Sequence, residues 1–265
     1  MDTQYAYSND SDHAPEHHRA LAELLNPGST ERVRGLMDLT DKRCLDVGAG
    51  GGTYAYWLAT KVGSHGQVVA TDLRPQHIPP HPRMRILTHD IVTDPLPEPG
   101  TFDFADARLV LNHLVERRKA FHNLVSALAP GGWLLTEDFS SHPPEVWVAH
   151  TPDRGDAALL RDYHAAQLAV LDAHGNDRTW ATTAHGAMVE AGLINVQTIV
   201  RSESWRGGGP GCRLIAAGLA QVRVELIGLG MKPVDLDRVQ ELLRNPEVEL
   251  HGHHLYSTSG QRPAT

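Results

Sequence analysis

Cysteine is scarce in this chain of 265 residues: Cys44 and Cys212 are the only two, and they lie far apart. That spacing excludes a disulfide framework and the paired-cysteine zinc motifs. Clustered lysine and arginine are also lacking, and the formal net charge is −8. A polyanion-binding surface needs such clusters, so no nucleic-acid partner is expected. No apolar run reaches membrane-spanning length, so no membrane partner is expected either. The opening Met1-Asp2-Thr3-Gln4-Tyr5 has no basic stretch followed by an apolar one and does not read as a secretory leader, which leaves the cytoplasm as the default location. There is no internal repeat and no low-complexity segment. Histidine, by contrast, is plentiful at 17 residues, densest at His17-His18 and at His251, His253 and His254. His251 and His253 would share a face if both stood on one strand, but no third ligand accompanies them.

The pattern along the chain is that of an α/β protein. Residues 1–15 are polar and read as loop. Leu21, Leu24, Leu25, then Val33, Leu36, Met37 and Leu39 recur at helical spacing, with Asn26-Pro27-Gly28-Ser29-Thr30 between them as a break separating two helices. Beyond residue 40 short apolar runs alternate with helical stretches. Strands are expected at Arg43–Val47, Gln67–Thr71, Met84–Leu87, Phe102–Ala107, Trp133–Glu137, Ile194–Val200 and Leu255–Ser257. Helices are expected at Thr53–Val62, Ala120–Ala129, Leu159–Ala173, Thr183–Ala191, Cys212–Leu229 and Leu236–Leu243. This alternation implies a doubly wound, Rossmann-like sheet. The organisation expected is a helical N-terminal cap over 1–40 and one domain over 41–265, with insertions near 141–180 and 205–248.

The main chemical signal is Leu45-Asp46-Val47-Gly48-Ala49-Gly50-Gly51-Gly52-Thr53, a glycine-rich turn between a strand and a helix. Such a turn brings backbone close to a ligand and aims helix N–H groups at an anion. A dinucleotide fingerprint requires Gly-x-Gly-x-x-Gly, and Thr53 stands where its third glycine belongs. The match is Asp-x-Gly-x-Gly-x-Gly instead. A cationic amino group favours a carboxylate such as Asp46, and adenosylmethionine carries one while lacking a pyrophosphate. Asp72 ends the second strand, suited to two ribose hydroxyls. Leu73 follows and can pack on adenine. Asp90, in Thr88-His89-Asp90-Ile91 after the third strand, can accept from the adenine amino group. Three acids at the carboxyl ends of successive strands mark the ligand edge of an open sheet.

On these residues, together with Phe102-Asp103 and Pro130-Gly131-Gly132-Trp133-Leu134, the chain resembles class I S-adenosylmethionine-dependent methyltransferases, strongly over Arg43 to Asp138. Asp106-Ala107-Arg108-Leu109-Val110-Leu111-Asn112-His113-Leu114 resembles a subgroup of actinobacterial natural-product enzymes, and the tail from Gly192 to Pro263 does so more loosely. The resemblance implies a seven-stranded sheet with an antiparallel last strand. It implies that Asp46, Gly48 and Gly50 hold the amino-acid end of the cofactor, Asp72 and Leu73 the ribose and adenine, Asp90 and Ile91 the adenine edge, and Ala107 and Arg108 the methionine moiety. Where relatives often carry histidine, this chain has Asp106.

Methyl transfer is a displacement whose leaving thioether needs no acid, so the enzyme chiefly aligns nucleophile and methyl. A hydroxyl or ammonium nucleophile must also lose a proton. His113 is the first candidate base, its alternative being a packed or capping histidine; Glu137 and Asp138 are the runners-up. Asp106, Glu137 and Asp138 have the oxygen chemistry for Mg²⁺, but Phe139-Ser140 stands where an acid-amide pair is needed, so no metal is expected. Tyr5, Tyr7, Trp147, Tyr163, Trp180 and Trp205 are expected mostly to pack, with one or two lining an apolar acceptor pocket. Arg206-Gly207-Gly208-Gly209-Pro210-Gly211 is a hinge or a plain connector.

The function expected is methylation of a small-molecule, secondary-metabolite acceptor, at oxygen ahead of nitrogen or carbon, by a protein that can form a homodimer. The alternatives are a protein that binds the cofactor structurally and catalyses a cyclisation or rearrangement, an NAD-dependent oxidoreductase, and a non-enzymatic binding module.

Overall fold

The structure is a computed structural model and describes residues 5–265; the expectation for residues 1–4 lies outside them. The chain divides into two compact units. The larger comprises residues 26–140, 177–201 and 255–265, and the smaller the rest.

The larger unit is built on strands β1 (Arg43–Val47), β2 (Gln67–Asp72), β3 (Met84–Thr88), β4 (Phe102–Arg108), β5 (Leu128–Ser140), β7 (Ile194–Arg201) and β10 (His254–Gln261). Their order in the sheet is β3-β2-β1-β4-β5-β10-β7. β1 pairs parallel with β2 and β4, and β10 pairs antiparallel with β7. This is the expected seven-stranded sheet with its antiparallel last strand. Period-two alternation divides the core between the two sheet faces. Leu45, Val69, Ala105 and Leu134 pack with Ala120, Phe121 and Leu124 of α3 (Arg117–Ala127) and Ala184 and Met188 of α6 (Trp180–Glu190). Cys44, Val68, Phe104 and Leu135 pack on the other face with Tyr54 and Leu58 of α2 (Thr53–Lys61) and Val33 of α1 (Ala14–Leu36). Strands buried on both faces are apolar through their middles, and the fully buried charged residues of β1 and β4, Asp46 and Asp106, stand toward the carboxyl ends, while Arg43 and Asp103 stand at the half-buried amino ends.

In the larger unit two expectations need correction. Residues 26–30 do not separate two helices: α1 runs through Pro27 without interruption. Pro27 costs the helix one backbone hydrogen bond, but its neighbours are fixed by side-chain contacts. Asn26 and Ser29 bond to other elements of this unit, and a Cβ on Gly28 would lie 2.2 Å from Arg201 Nη1. The last strand is also longer than Leu255–Ser257. Its buried Ser257, Thr258 and Ser259 carry too little apolar signal to read as strand, yet Thr258 and Thr198 share a hydroxyl hydrogen bond of 3.0 Å and Arg32 Nη2 donates to Ser259 Oγ at 2.8 Å.

The smaller unit holds α4 (Pro144–Trp147), α5 (Arg154–Ala173), α7 (Pro210–Gly228) and α8 (Pro233–Leu242). Its three-stranded sheet was not anticipated: β6 (Val148–His150), β9 (Glu249–His251) and β8 (Ser204–Arg206), in that order, are each too short to show a periodicity. Asp153 caps α5 through bonds from the Gly155 and Asp156 amides. Gln167 Nε2 donates to Tyr7 Oη at 3.0 Å, and burial pushes the Tyr7 phenol up to about 12. His251 and His253 do not share a strand face, because His253 lies beyond β9, where it stacks on His164 at a centroid distance of 5.6 Å and meets Trp205 edge-to-face at 5.1 Å. The rings of this region pack on one another: His164 also stacks on Trp147 at 4.2 Å. Among the described residues no helix is long and apolar enough to cross a membrane.

Candidate active site

The sheet's carboxyl edge gathers the glycine turn and the strand-end acids within the larger unit. Gly48, Gly50 and Gly52 all have positive φ, the left-handed region that β-carbons disfavour. At Gly48 space matters as well, since a Cβ there would lie 2.4 Å from Val110 Cγ2. The turn is anchored from below by the Thr71 carbonyl, which accepts from the Gly48 and Ala49 amides at 2.8 and 3.0 Å. Asp72 fastens it from the side: Oδ2 accepts from the Gly50 amide at 2.9 Å, and Oδ1 from the Arg74 amide at 2.8 Å. α2 then begins at Gly52 with no side-chain cap, so its first N–H groups face the turn without one.

The buried floor is ionic. Asp46 and Asp106 are in-register neighbours on β1 and β4, so their side chains leave the same face of the sheet side by side. They are 3% and 1% exposed; Asp46 Oδ2 and both Asp106 oxygens meet no donor from any other group of the protein, and the two carboxyls lie within hydrogen-bonding reach of each other. Burial pushes the Asp46 carboxyl up to about 6, against the pull of Arg108. Burial, with the charge of Asp46, holds Asp106 well above the usual carboxylate range.

Arg108, in the same row of side chains, is already committed. Its Nη1 donates to Asn26 Oδ1 at 2.8 Å and to Ser29 Oγ at 3.3 Å, and its guanidinium lies 4.5 Å over the Tyr54 ring. The Ser29 hydroxyl in turn donates to Glu137 Oε2. Asn26 Nδ2 donates to Thr53 Oγ1 at 3.0 Å, tying α1 to the first residue of α2. Asn26, Ser29 and Tyr54 were not among the sequence candidates. Ser29 lies in the stretch expected to break the helix, and only the docking of α1 beside β4 and β5 reveals its role as a bridge.

Other candidates fall around this centre. Ala107 is buried beside Val47 in the β1–β4 register. Leu73 is 55% exposed directly after Asp72, an uncommitted apolar surface at the ligand edge. Asp90 is engaged in its own turn, Oδ1 accepting from the Val92 amide at 2.8 Å and Oδ2 from the Thr93 hydroxyl at 3.0 Å. Ile91 is buried, and its carbonyl accepts from Asn123 Nδ2 at 2.7 Å.

His113 ends a short 3₁₀ turn, Leu111–His113, after β4. Its ring keeps some solvent contact, but the protein around it and the charge of Arg117 push it down to about 4. The imidazole is therefore neutral at pH 7 and able to accept, but only weakly basic. Asp138, on β5, is buried and pushed up to about 8, partly opposed by the Asn112 amide at 3.4 Å. Trp147, Tyr163, Trp180 and Trp205 are all packed, none more than 4% exposed. Among the described residues no three His, Cys, Asp or Glu side chains are arranged to hold a metal ion.

The donor set suits a zwitterionic amino acid joined to a nucleoside. The unpartnered Asp46 oxygen suits an ammonium, the uncapped start of α2 a carboxylate, Asp72 a pair of vicinal hydroxyls, and Leu73 a flat ring. One molecule carrying all four is S-adenosylmethionine.

A family model described as a methyltransferase domain matches residues 13–199. Among curated proteins, methyltransferase str2 of Strobilurus tenacellus is 33% identical over 130 residues, 47% of this chain and 46% of the relative. The ubiquinone biosynthesis O-methyltransferase of Xanthomonas euvesicatoria is 30% identical over 134 residues, 47% of this chain and 54% of the relative. The matched region thus spans about half the length of these relatives. Among solved structures, phosphoethanolamine N-methyltransferase 2 of Haemonchus contortus, in complex with S-adenosyl-L-methionine, superposes with a TM-score of 0.53 at 17% identity, over 90% of this chain and 53% of that one. The YcgJ protein of Bacillus subtilis gives 0.54 at 14%, over 93% and 99%.

Proposed function

The chain belongs to the methyltransferase-domain family, and from that premise we propose that it transfers a methyl group from S-adenosylmethionine to a hydroxyl of a small, largely apolar secondary metabolite. The observation that carries the cofactor reading is the buried, unpartnered Asp46 carboxylate oxygen beside the Gly48–Gly52 turn. Oxygen as acceptor is supported by the 30% identical relative named as an O-methyltransferase.

When bound, the cofactor supplies an electrophilic methyl on a sulfonium. The chain's own residues bind and orient. Asp46 and the Gly48–Gly50 amides hold the amino-acid end. Asp72 takes the ribose hydroxyls while keeping the turn in place through Gly50. Leu73 supports the adenine, with Asp90 and Ile91 at its edge. Ala107 and Arg108 flank the methionine chain. His113, neutral at pH 7, accepts a hydrogen bond from the acceptor hydroxyl, orients its lone pair, takes its proton as the oxygen is methylated and releases that proton to solvent.

His113→Ala is expected to lower kcat about 10- to 100-fold while cofactor affinity stays within about twofold. Steady-state kinetics and calorimetry check the two halves separately, and an unaltered kcat removes His113 from the reaction. The reaction type is tested with a panel of phenolic, amine and carbon acceptors, following adenosylhomocysteine as co-product. Stoichiometric adenosylhomocysteine and O-methylated phenol are expected. Conversion of an acceptor without adenosylhomocysteine contradicts methyl transfer.

A further inference from the structure

Asp106 has no counterpart in the roles assigned so far, although it sits at the centre of the site. Its strand position pairs it in register with Asp46, and both carboxyls are buried on one face. The charged and titratable groups around the pair are Cys44 on β1, whose thiol burial and these carboxyls hold well above its usual range, Asp72 on β2, Arg108 on β4, Glu137 on β5 and Tyr54 on α2. Arg108 is the cation among them, and its hydrogen bonds go to Asn26 and Ser29. Glu137 is held by Ser29. Neither oxygen of Asp106 therefore meets a hydrogen-bond donor as long as both aspartates are ionised. Adjacent carboxyls that are buried without donors cannot both stay charged; one keeps a proton and bonds to the other.

We infer that Asp106 is a positioning residue that holds a proton and donates it in a hydrogen bond to Asp46, fixing the carboxylate that receives the ligand's ammonium. The assignment of the proton to Asp106 follows from its neighbours. Burial raises both carboxyls, but at Asp46 the pull of Arg108 outweighs the charge of Asp72, whereas at Asp106 the charge of Asp46, joined by that of Glu137, outweighs Arg108, and the Asp106 carboxyl is the one held higher. The arrangement also makes ligand binding proton-linked. Asp46 must be ionised to take the ammonium, so affinity falls as the pH drops through about 6. The ammonium role of Asp46 rests on the adenosylmethionine reading above; the proton on Asp106 does not.

The test compares wild type with Asp106→Asn, which keeps a donor of the same shape, and Asp106→Leu, which keeps none. Infrared difference spectra of the free proteins at pH 7, wild type minus Asp106→Asn, should show a protonated-carboxyl stretch. Titration with adenosylmethionine from pH 5 to 8 should give Asp106→Asn an affinity within about threefold of wild type and the same pH break. Asp106→Leu should bind at least about tenfold more weakly at pH 7, with its break moved upward. Absence of the infrared band overturns the inference. So does Asp106→Asn losing as much affinity as Asp106→Leu, which would make Asp106 a second, ionised ligand for the cation. If wild type binds no adenosylmethionine at all, the cofactor reading fails, while the infrared band still decides whether Asp106 holds the proton.

Discussion

Asp72→Ala is expected to weaken adenosylmethionine binding about 100-fold. Hydrogen bonds to a charged group contribute about 1.5–3 kcal/mol each, and about 1.4 kcal/mol is a factor of ten in affinity. The carboxylate has two sets of partners to lose. One is the pair of ribose hydroxyls assigned to it. The other is internal, the amides of Gly50 and Arg74. With Asp72 gone the Gly50 amide loses its acceptor, and the turn is no longer tied to the end of β2. Asp72→Asn separates the two contributions. Its amide oxygen can still accept one backbone bond, so the turn is partly kept, while the charged bonds to the hydroxyls are lost, and about a tenfold weakening is expected. Calorimetric titration reads both variants, and unchanged affinity in Asp72→Ala removes the ribose assignment.

Asp138→Asn is expected to stabilise the protein at alkaline pH. The folded carboxyl is pushed up to about 8 by burial, whereas an unfolded aspartate titrates near 3.9. Its contribution to stability is therefore fully present below about pH 4 and is lost progressively as the pH rises through 8. The loss amounts to several kcal/mol, an upper figure of about 5 kcal/mol at 1.36 kcal/mol per pH unit. His113 runs the other way. Its folded pKa lies near 4, so its contribution is present above about pH 6.5 and is lost on acidification. The two oppose each other between pH 4 and 6.5, so the aspartate is best isolated between 6.5 and 8.5. Asparagine keeps an acceptor for the Asn112 amide. Thermal midpoints of wild type and variant should agree at pH 4 and differ by about 5–10 °C at pH 8.5, the variant being higher. A constant difference at all pH values would show that Asp138 is not protonated in the fold.

Those two residues were legible in the sequence to different degrees. Asp72 follows the apolar Val68-Val69-Ala70 by one residue, and an apolar strand that ends in an acid advertises a carboxyl-edge position. The same pattern exposed Asp46 and the glycine turn, because both depend on local chain geometry alone. The Arg108–Ser29–Glu137 bridge depends on α1 docking beside β4 and β5, and no local pattern carries that information. The displaced ionisation of His113 and Asp138 is illegible for the same reason: it comes from burial first, joined by Arg117 at His113 and by Glu137 at Asp138. In the fold, apolar runs revealed β1, β2 and β4. Pro27-Gly28 suggested a helix break that tertiary contacts override, and β10 was read as too short because its middle is Ser257-Thr258-Ser259.

The central claim is that the Gly48–Gly52 turn, Asp46 and Asp72 form an adenosylmethionine site. Calorimetric titration of the purified protein with adenosylmethionine, adenosylhomocysteine and NAD, each alone at pH 7.5, tests it most directly. The account predicts dissociation constants on the order of 10 µM for the first two and no heat from NAD. Binding of NAD alone, or of none of the three, would contradict it.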